Sequence, residues 1–191
     1  MKNFIVFTCL ILIGLNQMMF GGRKIMKETT FKAKRISRTN SMILNASLKT
    51  VFPLFGPIAE KKWAYGWDPQ IIFSSTNRLE PKMVFKTQMT GHHEKGETHC
   101  IWIVSRLIPQ QALIEYTVFT NERVWWITIQ CQEHVSNQTT RAKITYTFTG
   151  LTEKGNAINE KHLARIYAHD LKDWEESINY FLKTGKTFRG M

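Results

Sequence analysis

One crowded corner of the chain concentrates residues that could do chemistry. Residues 55–69 read FGPIAEKKWAYGWDP, placing Glu60 and Asp68 among Phe55, Trp63, Tyr65 and Trp67. Carboxyls can move protons, and indole and phenol rings can wall a site for an apolar molecule. Each also has a plainer use. Asp68 directly before Pro69 suits an Asx turn. Glu60 reads first as a solvated or helix-N-terminal charge, and second as a group facing a cavity entrance. A second stretch, GHHEKGETHC at 91–100, gathers His92, His93 and His99 with Glu94 and Glu97. Adjacent histidines on an extended chain point opposite ways, so this stretch reads as a solvated hairpin loop and not as a metal site. No serine, cysteine or carboxylate constellation stands at a catalytic spacing, and no glycine-rich phosphate loop or zinc pattern is present. The sequence therefore calls for no cofactor and no metal.

The elements that position these residues follow from periodicity. Residues 29–45 are β-rich and polar and predict a first, partly exposed strand. Ser47 fits an N-cap for LKTVFPLFGP, where Pro53 and Pro57 keep any helix short; a second short helix is expected from Pro57 to about Trp63. Strand patterns then recur at 70–75, 82–89, 99–108, 111–119, 124–135 and 139–151, joined by short turns, which predicts an antiparallel meander. In the last strand Ala142, Ile144, Tyr146 and Phe148 alternate with Arg141, Lys143, Thr145 and Thr147, so one face is apolar and the other wet. The same period turns Trp125, Ile127, Ile129 and Cys131 inward, with Ile114, Tyr116 and Val118. The strand at 99–108 is apolar on both faces, which leaves Trp102 unassigned. A long helix is expected over 153–183, capped by Thr152 and stopped at Gly185, with Leu163, Ile166, Tyr167, Leu171, Trp174 and Ile178 on its apolar stripe.

Composition bounds the partners. The 191 residues are 43% hydrophobic and 12% aromatic, enough for a core, and carry a formal charge of +11. Such a balance biases encounters towards anionic membranes or acidic partners. The basic residues are dispersed and not interleaved with stacking aromatics, which speaks against specific nucleic-acid binding. Cys9, Cys100 and Cys131 form no disulfide framework. The pattern specifies no oligomeric state.

Residues 1–25 stand apart from a single domain over 26–191. They resemble a secretory signal, yet the apolar run is short for a membrane span and Met18, Met19 and Phe20 stand where small cleavage-site residues belong. The other reading makes Met26 the start, with Gly21, Gly22 and Arg23 encoded by a purine-rich ribosome-binding run. That start implies a cytoplasmic protein; a functional leader implies export or membrane association. Residues 1–25 contribute Lys2, Arg23 and Lys24 and no acid, so the basic bias survives without them.

A strand, two short helices, a six-strand meander and a long C-terminal helix resemble the helix-grip plan of the START-related SRPBCC superfamily. The likeness spans about residues 28–185 and includes VFPLFGPIAEKKWAYGWDP, MVFKT, CIWIVSRLIP and ITYTFTGLTEKGNAIN, which are similar to small uncharacterised members. It implies an α+β fold, with a curved antiparallel sheet of about seven strands around the helix. It also implies a cavity between sheet and helix, gated near the two short helices, where members hold apolar ligands. On that plan Phe55, Trp63, Tyr65 and Trp67 lie at the mouth and could contact a ligand, with plugging the open end of the barrel the preferred role for Trp63 and Trp67. Tyr116 and Tyr146 are the polar handles inside, and Phe85, Trp125, Tyr167, Leu171 and Trp174 are walls, each also ordinary core. The expected function is binding or transport of a small hydrophobic molecule, lipids included, without catalysis. The superfamily leaves two alternatives. One is a polyketide cyclase- or dehydratase-like enzyme using Tyr116 or Tyr146. The other is a co-chaperone-like interaction module using basic outer strands with Lys32, Lys34, Arg141 and Lys143.

Overall fold

Alternation of apolar and polar residues fixes which backbone segments become strands, and the computed structural model, which describes residues 31–88, 99–135 and 138–189, shows seven. They are β1 (Arg35–Leu44), β2 (Gln70–Phe73), β3 (Val84–Gln88), β4 (His99–Ile108), β5 (Leu113–Phe119), β6 (Arg123–His134) and β7 (Thr139–Gly150). All neighbours pair antiparallel in the order β1-β7-β6-β5-β4-β3-β2, so the meander from β2 to β7 is closed by the first strand folding back onto the last. The register sets Trp125 opposite Phe148 and Ile127 opposite Tyr146, so the inward faces of β6 and β7 form one apolar surface. A register shift between Val104 and Arg106 interrupts the β4–β5 ladder. Such irregularities bend a sheet and help it curl around a helix.

After β1 the chain makes α1 (Leu48–Val51), a tight 3-10 turn at Phe52–Phe55 and α2 (Pro57–Glu60). Proline explains the brevity: Pro53 lacks the donor that would continue α1, and Pro57 is suited to the first turn of α2. The long C-terminal helix runs as α3 (Glu153–Arg165), a π-helical segment Ile166–Asp170 and α4 (Leu171–Thr184). Thr152 caps it by accepting from the Gly155 amide at 3.0 Å, and Gly185 ends it at φ 68° with its N–H on Phe181 O at 2.7 Å. The sequence pattern gives both ends, and the π segment is the feature it does not give.

The helix also protects an edge of the sheet. Glu175 accepts from the Ile43 amide at 3.1 Å, while Asn179 accepts from Asn45 N at 2.8 Å and donates to Ile43 O at 3.0 Å. These bonds occupy backbone groups of β1 that would otherwise invite another strand. The core between sheet and helix includes Leu44, Phe85, Ile114, Ile144, Phe148 and Ile178. Cys100 and Cys131 are buried, and burial pushes the Cys131 thiol up to about 12. Among the described residues no helix is long and apolar enough to cross a membrane.

Candidate functional site

A cavity of about 410 Å3 lies between the sheet and the long helix. Its rim comes from α2 and the loop after it, through Glu60, Ala64, Tyr65, Gly66, Trp67 and Asp68. The sheet contributes Thr87, Trp102, Trp125, Ile127 and Tyr146 from β3, β4, β6 and β7. His162, Ile166, Asp170 and Trp174 complete it from the helix.

Those four helix residues recur every fourth position, a repeat that drifts about 40° per step around a regular α-helix. The π segment Ile166–Asp170 sits in the middle of the run. Its wider turn absorbs part of the drift and keeps His162 and Trp174 on the same cavity as Ile166 and Asp170.

Indole rings form the walls, and in Trp67 and Trp102 the ring N–H is spent on the protein. Trp67 Nε1 donates to Pro57 O at 2.8 Å, and Trp102 Nε1 donates to Thr87 Oγ1 at 2.9 Å. Trp67 meets Trp102 edge-on with centroids 5.4 Å apart, and Trp102 stacks on Phe85 at 5.4 Å. With the N–H groups occupied, these side chains offer mainly apolar ring surface to a guest.

Two polar groups face the cavity without that kind of anchorage. Glu60 is half-buried by exposed area, but its carboxyl is enclosed by protein, and burial alone pushes its pKa up to about 8. No hydrogen bond or ion pair holds it among the described residues. Tyr146 lines the same space, and its hydroxyl also makes no hydrogen bond among the described residues. Burial, reinforced by the nearby charge of Glu60, raises Tyr146 well above the usual phenol range, so it stays protonated. At another part of the lining, His162 Nδ1 lies 2.8 Å from Nη1 of Arg123, a guanidinium buried behind it and set over the Trp125 ring at 4.9 Å.

Of the residues expected from sequence, Tyr65, Trp67, Trp125, Tyr146 and Trp174 line the cavity, Tyr65 at its rim and 72% exposed. Phe55, Trp63, Phe85, Tyr116, Tyr167 and Leu171 do not line it and pack in the core. Trp63 is 1% exposed, donates from Nε1 to Leu54 O at 2.9 Å and packs against Trp174 at 5.7 Å, which makes it a plug. The Tyr116 hydroxyl already has a protein partner, donating to Phe55 O at 2.6 Å. Tyr167 donates to the Arg38 carbonyl and thereby ties the helix to β1. The histidine-rich stretch at 91–98 lies outside the described residues.

Glu60 corrects the expectation of a solvated charge. The spacing of Glu60, Ala64 and Trp67, one helical face, carried that signal, but α2 ends at Glu60 and the following turns made the periodicity hard to extend. His162 and Asp170 were hidden for a different reason: each is polar on a helix whose apolar stripe was read first. Trp102, unassignable by pattern, belongs to the wall.

No protein-family model matches the chain, and no curated protein matches it by sequence. Solved structures do. Norcoclaurine synthase from Thalictrum flavum, in complex with dopamine and hydroxybenzaldehyde, superposes with a TM-score of 0.58 at 12% identity, covering 95% of this chain and 99% of that one. Ara h 8.0201 gives 0.52 at 12% identity, over 76% of this chain and 98% of the other. A Rhizobium loti protein gives 0.53 at 14% identity, over 77% and 99%. The chain therefore has the Bet v1/START-like helix-grip fold.

Proposed function

We infer that the protein binds a small, mainly apolar molecule in the cavity between sheet and helix, with indole rings supplying contact area and Glu60 and Tyr146 orienting a polar end. One observation carries this reading: a cavity of about 410 Å3 whose Trp67 and Trp102 N–H groups are satisfied by protein while two polar side chains face inward unpartnered. Leaving such groups without partners costs stability, and a ligand or water removes the cost. The likeness in fold to a synthase seen with two small aromatic molecules supports the same use of the architecture.

Native mass spectrometry of protein purified from its own host, followed by denaturing release, tests the reading. A stoichiometric apolar molecule is expected. Protein that is empty by mass and shows no thermal shift across a library of lipids and aromatics would count against it.

A second reading adds chemistry, and Glu60 is its specific support. A carboxyl titrating near neutrality can both give and take a proton at little cost. This version requires turnover of the bound molecule, with Glu60→Gln abolishing turnover and retaining binding. Unchanged turnover in that variant would remove Glu60 from the chemistry.

A further inference from the structure

The chain is basic, with a formal charge of +11, yet the ionisable carboxyls and ammoniums around the cavity are of one sign. Glu60, Asp68 and Asp170 line it, and no lysine or arginine does so among the described residues. Surface cations act across water and are screened, whereas an acid inside a cavity acts through a poorer dielectric. The local field, and not the net charge, decides what enters.

Two of the three acids already have cations. Asp68 pairs with Lys61 at 2.7 Å, and Asp170 with Arg165 at 3.5 Å. Glu60 has none, and desolvation is the cause that sets its state. An independent feature points into the same space: Tyr146 is 6% exposed, lines the cavity and leaves its hydroxyl without a partner among the described residues. Trp125 already carries the Arg123 guanidinium, so the rings left for a guest are those of Trp67, Trp102 and Trp174.

A carboxyl enclosed by protein and lining a cavity with indole rings is complementary to a positive charge on an organic skeleton. The ring quadrupole attracts a cation, and the carboxylate completes a charge-assisted hydrogen bond to it. A neutral ligand gains no ion pair with Glu60, and an anion finds no lysine or arginine in the lining among the described residues but two further acids, Asp68 and Asp170. Resting on the reading that this cavity binds an apolar molecule, we propose that its ligands are organic amines protonated at neutral pH, with the ammonium held between Glu60 and the indole rings and the Tyr146 hydroxyl bonded to the ligand's other polar atoms.

Binding then couples to a proton. Burial keeps most Glu60 protonated at neutral pH in the empty protein, so an ammonium that pairs with the carboxylate must expel that proton. Amine affinity rises with pH up to about 8 and then levels off. The charged and titratable groups around Glu60 are Lys61 beside it, Asp68 in the following loop, Tyr116 on β5, Tyr146 on β7, and His162 and Asp170 on the helix. Arg123 lies behind His162.

The test uses the full chain and three matched probes: naphthylethylamine, naphthylethanol and naphthylacetate. Calorimetry near neutral pH, run in two buffers of different ionisation heat, reads affinity and proton release together. The amine is expected to bind about tenfold tighter than the alcohol, with the carboxylate weakest, and to release a proton that the alcohol does not. Glu60→Gln should erase the amine's advantage over the alcohol and its proton release. Equal binding of amine and alcohol in the wild type overturns the cation inference and leaves apolar binding standing. An advantage that survives Glu60→Gln also overturns it and points to His162 or Asp170. Failure of all three probes to bind overturns this proposal together with the cavity reading beneath it.

Discussion

Glu60 has an ordinary pKa of 4.5 and one of about 8 in the folded protein. Between those values the folded state keeps a proton that the unfolded chain has released, so stability falls as pH rises through this window and is flat above it. The shift corresponds to at most roughly 5 kcal/mol, and water reaching the carboxyl through the cavity reduces that. Glu60→Gln should therefore match the wild type near pH 5 and exceed it by roughly 2–4 kcal/mol near pH 9, read from urea melts at both values. Parallel pH profiles for the two proteins would show that the carboxyl is solvated. The tyrosines separate in the same way. Tyr116→Phe strips a buried donor from Phe55 O and should cost about 1–3 kcal/mol. Tyr146→Phe removes a hydroxyl that holds nothing in the protein, so the empty protein's stability should stay the same or rise while ligand affinity drops. Equal destabilisation of the two variants in chemical melts would contradict this assignment. Sequence treats these two residues alike because alternation reports only which face a side chain takes. Whether a phenol on that face meets a carbonyl or a cavity depends on where the 3-10 turn at Phe52–Phe55 crosses the sheet.

Strands and caps were legible because each rests on neighbours in the chain: alternation gave the faces of β6 and β7, and Thr152 and Gly185 gave the helix ends. The π segment was not, since an extra residue in a helical turn leaves the apolar stripe of Tyr167, Leu171 and Trp174 intact on paper. Close approaches are likewise invisible before folding. Gly155 lies on α3, where propensity alone says alanine would be better by roughly 0.8–1 kcal/mol. In the fold, a Cβ at Gly155 would sit 1.9 Å from the Glu122 carbonyl oxygen, in backbone that cannot swing aside. The steric term outweighs propensity. Gly155→Ala should lose about 2 kcal/mol or more in denaturant melts, and a neutral or stabilising result would mean that α3 can slide away from the β5–β6 turn.

Across the molecule, the cavity sets stability against use. Sheet and helix touch through the core on one side and leave a space of about 410 Å3 on the other, walled by large side chains that could have filled it. Unfilled volume forfeits dispersion contacts, so a protein keeping it gains stability when a guest or a larger side chain takes the room. Ile127 is a suitable place to test this, being buried on the interior strand β6 and part of the lining. Ile127→Phe should leave the melting temperature of the empty protein unchanged or higher. It should also cut the shift produced by naphthylethanol to less than half, since a ligand at about a hundredfold its dissociation constant adds only about 2.7 kcal/mol and must fit to do so. Using the neutral alcohol keeps Glu60 and its charge out of the comparison, so the readout concerns volume alone. A variant that melts lower yet keeps the full shift would place the ligand elsewhere on the protein and leave the cavity as a packing defect that the aromatic walls merely tolerate.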